Sequence, residues 1–304
     1  MWFDLHADIG YDIYHQHLAG NDNRFQEFHL VRLKRDNVSG VCVACYFGNY
    51  ESWEVMQDCV TFVRNQILNS DVQFVLSKED LESDKLKIVL TIEGMYGIQD
   101  NAAKKIQWLY DQGVRIGSLC WNEENALATG AKANPEHGIS EMGREAILKM
   151  QELGMILDVS HLNDKSFFDV MEYDLPIIAT HSNSRTLCGA MRNLSDEQLD
   201  VLKNRDTLVG LNAYGPFVDS DENARDCAHL VKHAQYLESK LGLQSVACGF
   251  DFMDFYDPNA RMLNDMNNTS ELVNLETQLN EVYNKKDTLR IASLNTLEFL
   301  KKYL

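Results

Sequence analysis

The sequence predicts a (β/α)8 TIM barrel, an α/β fold in which eight parallel strands alternate with helices. Three observations predict it: eight short apolar runs recur along the 304 residues, amphipathic stretches separate most of them, and glycines stand where helices should end. Strand and helix alternating over roughly 250 residues is typical of this barrel. A doubly wound open sheet is the main alternative, but it requires a glycine fingerprint after the first strand, and "DIGYDIY" has none.

The apolar runs are almost continuously hydrophobic, which favours parallel strands that are covered on both faces. They are WFDLHAD (2–8), GVCVACYF (40–47), KIVLTIEG (87–94), VRIGSLCW (114–121), MILDVSH (155–161), LPIIATHS (175–182), TLVGLNAY (207–214) and SVACGFDF (245–252). A single domain over residues 1–304 is the simplest arrangement of these strands.

The helical stretches between the strands are 51–69, 101–112, 141–153, 163–172, 195–205 and 222–241. Ser195 with Gln198 forms a capping box at one helix start, and Gly113, Gly154 and Gly242 mark helix ends. Two more helices, at about 271–283 and 287–303, follow the last strand. Because a barrel of eight units needs only one of them, we expect an extra C-terminal helix.

Charge and composition exclude several classes of partner. The chain has 28 Lys and Arg against 46 Asp and Glu, a net charge of −18. This excess of negative charge argues against binding to nucleic acid or to an anionic membrane. The start "MWFDLHAD" has neither a basic segment nor an apolar one, and the seven cysteines are scattered and odd in number. Both features predict a cytoplasmic protein with reduced thiols.

Polar side chains end five of the predicted strands, on the side where a barrel of this type carries its active site. They are His6, Asp8, Glu93, His161, His181 and Asp251. Imidazoles with carboxylates suit zinc or a similar divalent ion, and one carboxylate can bridge two ions. Two adjacent ions would generate a hydroxide and polarise a carbonyl, as amide hydrolysis requires. Glu93, alone on its strand, is the natural bridge.

Two further acids are not expected to be direct ligands. Asp4 is two residues before His6, so in a regular strand Asp4, His6 and Asp8 share one face. We expect Asp4 to orient His6 or to pair elsewhere, and Asp158 has the same two interpretations. His229 and His233 lie four residues apart, and we interpret them as a solvated helix face.

At this point the sequence resembles the membrane (renal) dipeptidase family of zinc metallopeptidases, which have amidohydrolase-like barrels. "DLHADI" is similar to the family's D-x-H-x-D opening, "TIEGMYG" to its I-E-G element and "IIATHSNSR" to its S-H-S element. "GREAILKMQELGMILDVSHLND" is similar to the long family signature that ends in D-x-S-H, and "MRNLSDEQL" and "CGFDF" follow. The match covers about residues 4–255.

The resemblance implies a binuclear zinc dipeptidase. His6 and Asp8 would hold one Zn²⁺, and His161 and His181 would hold the other. Glu93 would bridge the two ions, and a bridging hydroxide would attack the peptide carbonyl. The implied substrates are dipeptides, including those with a C-terminal D-residue. Because family members are commonly dimers, the resemblance also implies a homodimer.

The resemblance also assigns roles beyond the metal ligands. Arg192 would pair with the substrate carboxylate, and Asp251 would move the proton to the leaving amine. Trp121 stands where the best-studied animal members have a histidine that helps to hold substrate, and it offers a wall and one donor but no base. The family's D-F-D-G reads "DFMDF" here, with Met253 at the second acidic position.

Two other functions are compatible with the same residues. A metal barrel of this kind also suits hydrolysis of another amide or a lactam, because the fold and the ions do not select the substrate. A noncatalytic barrel that binds metal for structural reasons is the third interpretation, although it would have no use for Asp251 as a proton carrier.

Overall fold

The computed structural model describes residues 1–48 and 50–304, and it has nine parallel strands in one sheet. The strands are β1 (Trp2–Ala7), β2 (Val38–Tyr46), β3 (Gln73–Phe74), β4 (Lys87–Glu93), β5 (Val114–Ser118), β6 (Ile156–Asp158), β7 (Ile177–Ala179), β8 (Thr207–Leu211) and β9 (Val246–Cys248). All eight predicted strands are present, and β3 is an addition that the sequence pattern did not predict.

Eight of the strands close into a barrel, which confirms the predicted fold class. Each strand from β4 to β8 pairs with the next, β9 pairs with β1, β1 pairs with β2, and the pairing of β2 with β4 completes the circle. The two-residue β3 pairs with Lys87 and Ile88, the first two residues of β4. It lies on the same edge of β4 that pairs with β5 from Leu90 onward.

Helices surround the barrel. They are α1 (Ile9–Leu18), α2 (Leu30–Arg35), α3 (Trp53–Leu68), α4 (Ala102–Asp111), α5 (Glu141–Leu153), α6 (Asp164–Val170), α7 (Asp196–Leu202), α8 (Gly215–Val218), α9 (Cys227–Leu241), α10 (Leu272–Val282), α11 (Lys285–Leu289) and α12 (Asn295–Tyr303). The predicted helices are confirmed to within a few residues, whereas α1, α2 and α8 were not predicted. The predicted helix 222–241 begins later, at Cys227, because the Asp226 side chain caps it.

The extra C-terminal helix closes the barrel at the end opposite the predicted site. Phe299 and Leu300 of α12 belong to the buried apolar cluster that fills the barrel interior, together with Phe3, Leu5 and Ile116. Side chains of α12 also reach the loops that precede the strands, as in the contact between Lys302 and Asp206. The base of the barrel is therefore plugged by apolar side chains.

Strand β1 departs from a regular alternation. Asp4 pairs with Val41 and Ala7 with Val43, so β1 contains one more residue than β2 between these pairs, as in a β-bulge. Leu5 and the following His6 therefore both face inward, while Asp4 lines an outer crevice with Ala7. The expectation that Asp4 shares a face with His6 and Asp8 is wrong, because the bulge shifts the pleat.

The strands end earlier than the apolar runs. The run 155–161 forms a strand only over Ile156–Asp158, and the run 175–182 only over Ile177–Ala179. The polar residues at the ends of these runs therefore lie in loops above the sheet. In the part of the chain that the structure describes, no helix is long and apolar enough to pass through a lipid bilayer.

Candidate metal and substrate site

The five predicted metal ligands meet at the mouth of the barrel, beyond the carboxyl ends of the strands. His6 lies within β1 and Asp8 directly after it, and Glu93 is the last residue of β4. His161 and His181 lie three and two residues after β6 and β7. All five side chains are buried.

Glu93 lies between the histidines of the two predicted ligand groups. Its Oε2 atom is 3.3 Å from His6 Nε2. Its Oε1 atom is 2.6 Å from His161 Nε2 and 3.7 Å from His181 Nε2. The two oxygens of one carboxylate thus face different ligand groups. Gly94, with φ +80°, turns the chain directly after Glu93, and a Cβ there would lie 2.2 Å from the Phe47 carbonyl oxygen.

Two predicted ligand atoms in this cluster are buried and unsatisfied. His6 Nε2 and Asp8 Oδ1 have no hydrogen-bond partner in the described part of the chain and lie 3.5 Å apart. The Nε2 atoms of His161 and His181 face each other at 2.8 Å. Buried polar atoms without partners are costly, and a bound cation would satisfy them.

The donor set fits a divalent metal ion. Three groups of three have ligand atoms that all lie within 4.8 Å of one another: His6 with Asp8 and Glu93, Glu93 with His161 and His181, and His6 with Asp158 and His181. Glu93 belongs to the first two groups, which are the predicted ones. Nitrogen and carboxylate donors in sets of three, with further positions open, are typical of catalytic zinc sites.

Hydrogen bonds to the other ring nitrogens orient two of the histidines. Asn122 Oδ1 lies 3.2 Å from His161 Nδ1, and Thr180 Oγ1 lies 2.8 Å from His181 Nδ1. Both bonds leave Nε2 directed at Glu93, as a metal-binding tautomer requires. Asp158 accepts from Thr180 Oγ1 with one oxygen and from the Ser160 hydroxyl with the other. Asp158 therefore supports His181 through Thr180.

The pKa values of the three histidines in the cluster are shifted in different directions. Burial, together with the charge of His6, lowers the pKa of both His161 and His181 well below its usual value. Burial also acts to lower the pKa of His6, but the Glu93 and Asp8 carboxylates outweigh it and raise that pKa. Burial raises the pKa of Glu93 to about 8. Neutral imidazoles with a free lone pair are the form that binds metal.

Asp251 lies at the edge of the cluster in a strained backbone conformation, with φ +59°. Its Oδ2 accepts from Asn212 Nδ2 at 3.1 Å, and its Oδ1 is 3.9 Å from His6 Nε2. Burial, with the nearby Asp8 charge, raises the pKa of Asp251 to about 6. A carboxyl group with such a pKa can both accept and release a proton near neutral pH.

The cluster opens into a cavity of about 340 Å³, which is large enough for a small peptide. Arg192 is buried in its wall, and its Nη1 atom has no hydrogen-bond partner in the described chain, while Nη2 lies 3.1 Å from His161 Nε2. Six aromatic residues also line the cavity: Tyr11, Tyr46, Trp121, Tyr214, Phe217 and Tyr256. The Trp121 ring packs edge-on to Tyr46, with centroids 5.2 Å apart.

A profile of the membrane dipeptidase family, peptidase family M19, matches residues 1–303. The chain belongs to the membrane dipeptidase family. It is therefore an enzyme of a family of peptide-bond hydrolases, which confirms the class that the strand-end ligands and motifs predicted.

Individual relatives agree with this membership. The chain is 33% identical over 195 residues to an uncharacterised protein from the pqqA 5′ region of Klebsiella pneumoniae, an alignment that covers 60% of this chain and 72% of the relative. It is 30% identical over 218 residues to an uncharacterised dipeptidase of Schizosaccharomyces pombe, covering 67% of this chain and 51% of the relative. The chain thus spans about half the length of that yeast relative.

Among solved structures, a metallopeptidase from Rhodobacter sphaeroides, liganded with a phosphinate mimic of the dipeptide L-Ala-D-Ala, superposes with a TM-score of 0.87. The identity is 20%, and the superposition covers 100% of this chain and 99% of that one. At this identity the likeness supports the barrel fold of the membrane dipeptidase family.

Several residues at this candidate site were not singled out from the sequence. Asn122, Thr180 and Asn212 bond to His161, His181 and Asp251, respectively. Thr180 and Asn212 directly follow β7 and β8, and Asn122 directly follows the predicted apolar run 114–121. The signal available was their position, since polar residues next to a barrel strand end are candidates for the site. Tyr256 carried no signal of this kind, because it lies five residues beyond Asp251 in an irregular loop.

One interpretation of the histidines was wrong. His233 is buried in α9, where its Nδ1 accepts from the Ser184 backbone N–H at 3.1 Å and its Nε2 donates to the Val218 carbonyl at 2.9 Å. It joins the loop after β7 to α8 and is not part of a solvated face. His229, half-buried on the same helix, bonds its capping residue Asp226.

Proposed function

We propose that this chain is a binuclear zinc dipeptidase that hydrolyses the peptide bond of dipeptides, including those with a C-terminal D-residue. The observation that carries the proposal is the position of Glu93: one carboxylate oxygen faces His6 and the other faces His161, beside the buried and unsatisfied His6 Nε2 and Asp8 Oδ1. A buried guanidinium with a free donor borders the same cavity.

Two ions would be held by residues of both groups. His6 and Asp8 would bind one ion and His161 and His181 the other, with Glu93 shared. Imidazole and carboxylate ligands suit Zn²⁺ in preference to harder cations. When bound, the ions would supply an activated water and polarise the scissile carbonyl.

Arg192 would bind the C-terminal carboxylate of the dipeptide. Its unpaired Nη1 is buried in the cavity wall, where a free donor is costly unless a ligand accepts from it. A guanidinium recognises a carboxylate through two parallel hydrogen bonds, so this contact would fix both the end and the length of the substrate. Trp121, which also lines the cavity, would form a wall by apolar contact with a substrate side chain.

Asp251 would carry the proton during hydrolysis. Its Oδ2 is held by Asn212, so Oδ1 is the atom available to take a proton from the attacking water. As the C–O bond forms and the C–N bond breaks, the same carboxyl would deliver that proton to the leaving amine nitrogen. A pKa of about 6 suits both steps.

A related structure supports the proposed activity on dipeptides with a C-terminal D-residue. The Rhodobacter sphaeroides metallopeptidase was solved with a mimic of L-Ala-D-Ala, and its fold covers the whole of this chain. In the proposed site, Arg192 would hold the terminal carboxylate and the metal would hold the scissile carbonyl. The side chain of the last residue would be less constrained than these two groups, so either configuration could be accommodated.

The test is metal analysis of the purified protein followed by kinetics. We expect about two Zn²⁺ per chain, hydrolysis of both L,L- and L,D-dipeptides, loss of turnover with chelator and recovery on adding Zn²⁺. Each dipeptide is paired with its C-terminal amide, which removes the carboxylate and should be a poor substrate. A metal-free protein that hydrolyses no dipeptide would refute the proposal, and equal rates on the amides would point to another amide or lactam as substrate. Dimerisation stays a prediction, which sedimentation would test.

A further inference from the structure

Tyr256 makes a contact with a proposed metal ligand that lies far from it in the sequence. Its hydroxyl donates to Asp8 Oδ2 at 2.7 Å across 248 residues. The other oxygen of Asp8, Oδ1, is the atom that lies 3.5 Å from His6 Nε2 and finds no hydrogen-bond partner in the described residues. The two oxygens of this carboxylate are therefore in different situations.

This difference has a consequence for metal binding. A free carboxylate can offer either oxygen, or both, to a cation, and its orientation is then not fixed. A hydrogen bond to one oxygen holds the plane of the group and leaves a single oxygen for the metal. From this geometry we infer that Tyr256 is a positioning residue, which directs Asp8 Oδ1 to the metal ion that it shares with His6 and Glu93. The inference rests on the proposed metal site and adds a residue to it.

The loop that carries Tyr256 is anchored at the two residues before it. Arg32 Nη2 donates to Asp254 Oδ2 at 2.7 Å, and Arg24 Nη2 donates to the Phe255 carbonyl at 3.1 Å. Both arginines belong to the segment between β1 and β2, which also carries Asp8 at its start. The donor and the acceptor of the Tyr256–Asp8 bond are thus tied to one structural unit.

Ring packing restricts the tyrosine further. The Tyr256 ring packs edge-on to Tyr11 with centroids 5.4 Å apart and to Phe255 at 5.2 Å. Tyr11 lies on α1, one turn after Asp8. Contacts on two sides of the ring oppose a change of rotamer that would withdraw the hydroxyl, so the bond to Asp8 is held by packing as well as by its own energy.

The experiment compares metal binding in Tyr256→Phe with that in the wild type, by competition with a chromophoric chelator. We expect the ion bound through Asp8 to lose about 10- to 100-fold in affinity and the other ion to be unchanged, since loss of such a supporting bond typically costs this much. The absorption spectrum of the Co²⁺-substituted protein should also change, because it reports the ligand geometry directly.

A matched control is available on α1. Tyr14 donates to Asp58 Oδ2 at 2.9 Å, a bond of the same kind that lies outside the cavity. Tyr14→Phe should leave both metal affinities and the Co²⁺ spectrum as in the wild type. A second variant, Asp254→Ala, removes the anchor to Arg32 but keeps the hydroxyl, and we expect a smaller loss at the same ion.

The outcomes separate this inference from the proposed function. Two ions bound by Tyr256→Phe with wild-type affinities and an unaltered Co²⁺ spectrum would overturn the inference and leave the dipeptidase proposal intact. A wild type that binds no metal would overturn both. Should Tyr256→Phe not fold, Asp254→Ala decides: wild-type affinity at both ions would then contradict the positioning role.

Discussion

Two buried clusters of charged and polar side chains lie on either side of β1 and differ in how completely they are paired. In the first, at the barrel mouth, His6 Nε2 and Asp8 Oδ1 are left without partners in the described chain. In the second, outside the barrel, Asp12 Oδ2 accepts from His29 Nε2 and from Arg24 Nε, both at 2.7 Å. We refer to the second group, Asp12, Arg24 and His29, as the helix cluster.

The difference is consistent with a structural role for the helix cluster and with the proposed metal-binding role for the cluster at the barrel mouth. A buried ionic network is tolerated when its members are satisfied, and removing one partner is costly because the other is left unpaired. The helix cluster is satisfied within the protein, and through Arg24 it also holds the loop at Phe255. The cluster at the barrel mouth contains two atoms without partners among the described residues, His6 Nε2 and Asp8 Oδ1, so a bound cation should stabilise it.

The largest effect is expected at the shared ligand. Glu93→Gln keeps the shape of the side chain but removes the charge that two ions would share, so kcat/KM for a dipeptide should fall by at least about a thousandfold. The bound metal should decrease in the same variant. Steady-state kinetics and metal analysis would check this, and a variant that retains both ions and its activity would contradict the assigned bridge.

The next effect concerns substrate binding. Arg192→Ala removes the proposed partner of the terminal carboxylate, which should cost about 2–5 kcal/mol in kcat/KM and act mainly on KM. Hydrolysis of a C-terminal amide should change little. Arg205→Ala is the matched control, because that arginine bonds the Met171 and Tyr173 carbonyls away from the cavity. An unchanged KM in Arg192→Ala would exclude the carboxylate contact.

A third prediction compares the two clusters directly in the metal-free protein. Asp12→Asn weakens two hydrogen bonds from charged or polar donors and should lower the free energy of unfolding by about 1.5–3 kcal/mol. Asp8→Asn should cost less, because Oδ1 has no hydrogen bond to lose within the described chain and the amide oxygen of Asn can still accept the bond from Tyr256. Urea unfolding of both variants would measure the difference. If the two losses were equal, or the order reversed, the distinction between the clusters would fail.

The smallest effect is a pH dependence of the helix cluster. Burial lowers the pKa of His29 below its usual 6.5 in spite of the Asp12 carboxylate. Below that pH the unfolded chain binds a proton that folded His29 does not, so stability should fall as the pH decreases from 7 to 5.5. In His29→Gln the free energy of unfolding should change less between pH 7 and 5.5 than in the wild type. Unfolding of the metal-free proteins at several pH values would test it, and parallel profiles would count against it.

The sequence by itself determined the fold class and predicted which polar side chains meet at the barrel mouth. The apolar runs and capping signals depend on local periodicity and local hydrogen bonding, so they predicted all eight barrel strands and the extra C-terminal helix. The predicted ligands at the strand ends could also be identified from the sequence, because the carboxyl ends of parallel barrel strands lie close together regardless of loop conformation. That is why Glu93, His161 and His181 could be grouped before any contact was known.

Only the tertiary structure decided how these groups are paired. The bulge that turns Asp4 away from His6 depends on the register with β2, and the plug at the base depends on where α12 packs. The bond from Tyr256 to Asp8 joins residues 248 positions apart. The physical reason is the same in each case: these contacts depend on the packing of distant segments, which leaves no periodicity in the local sequence.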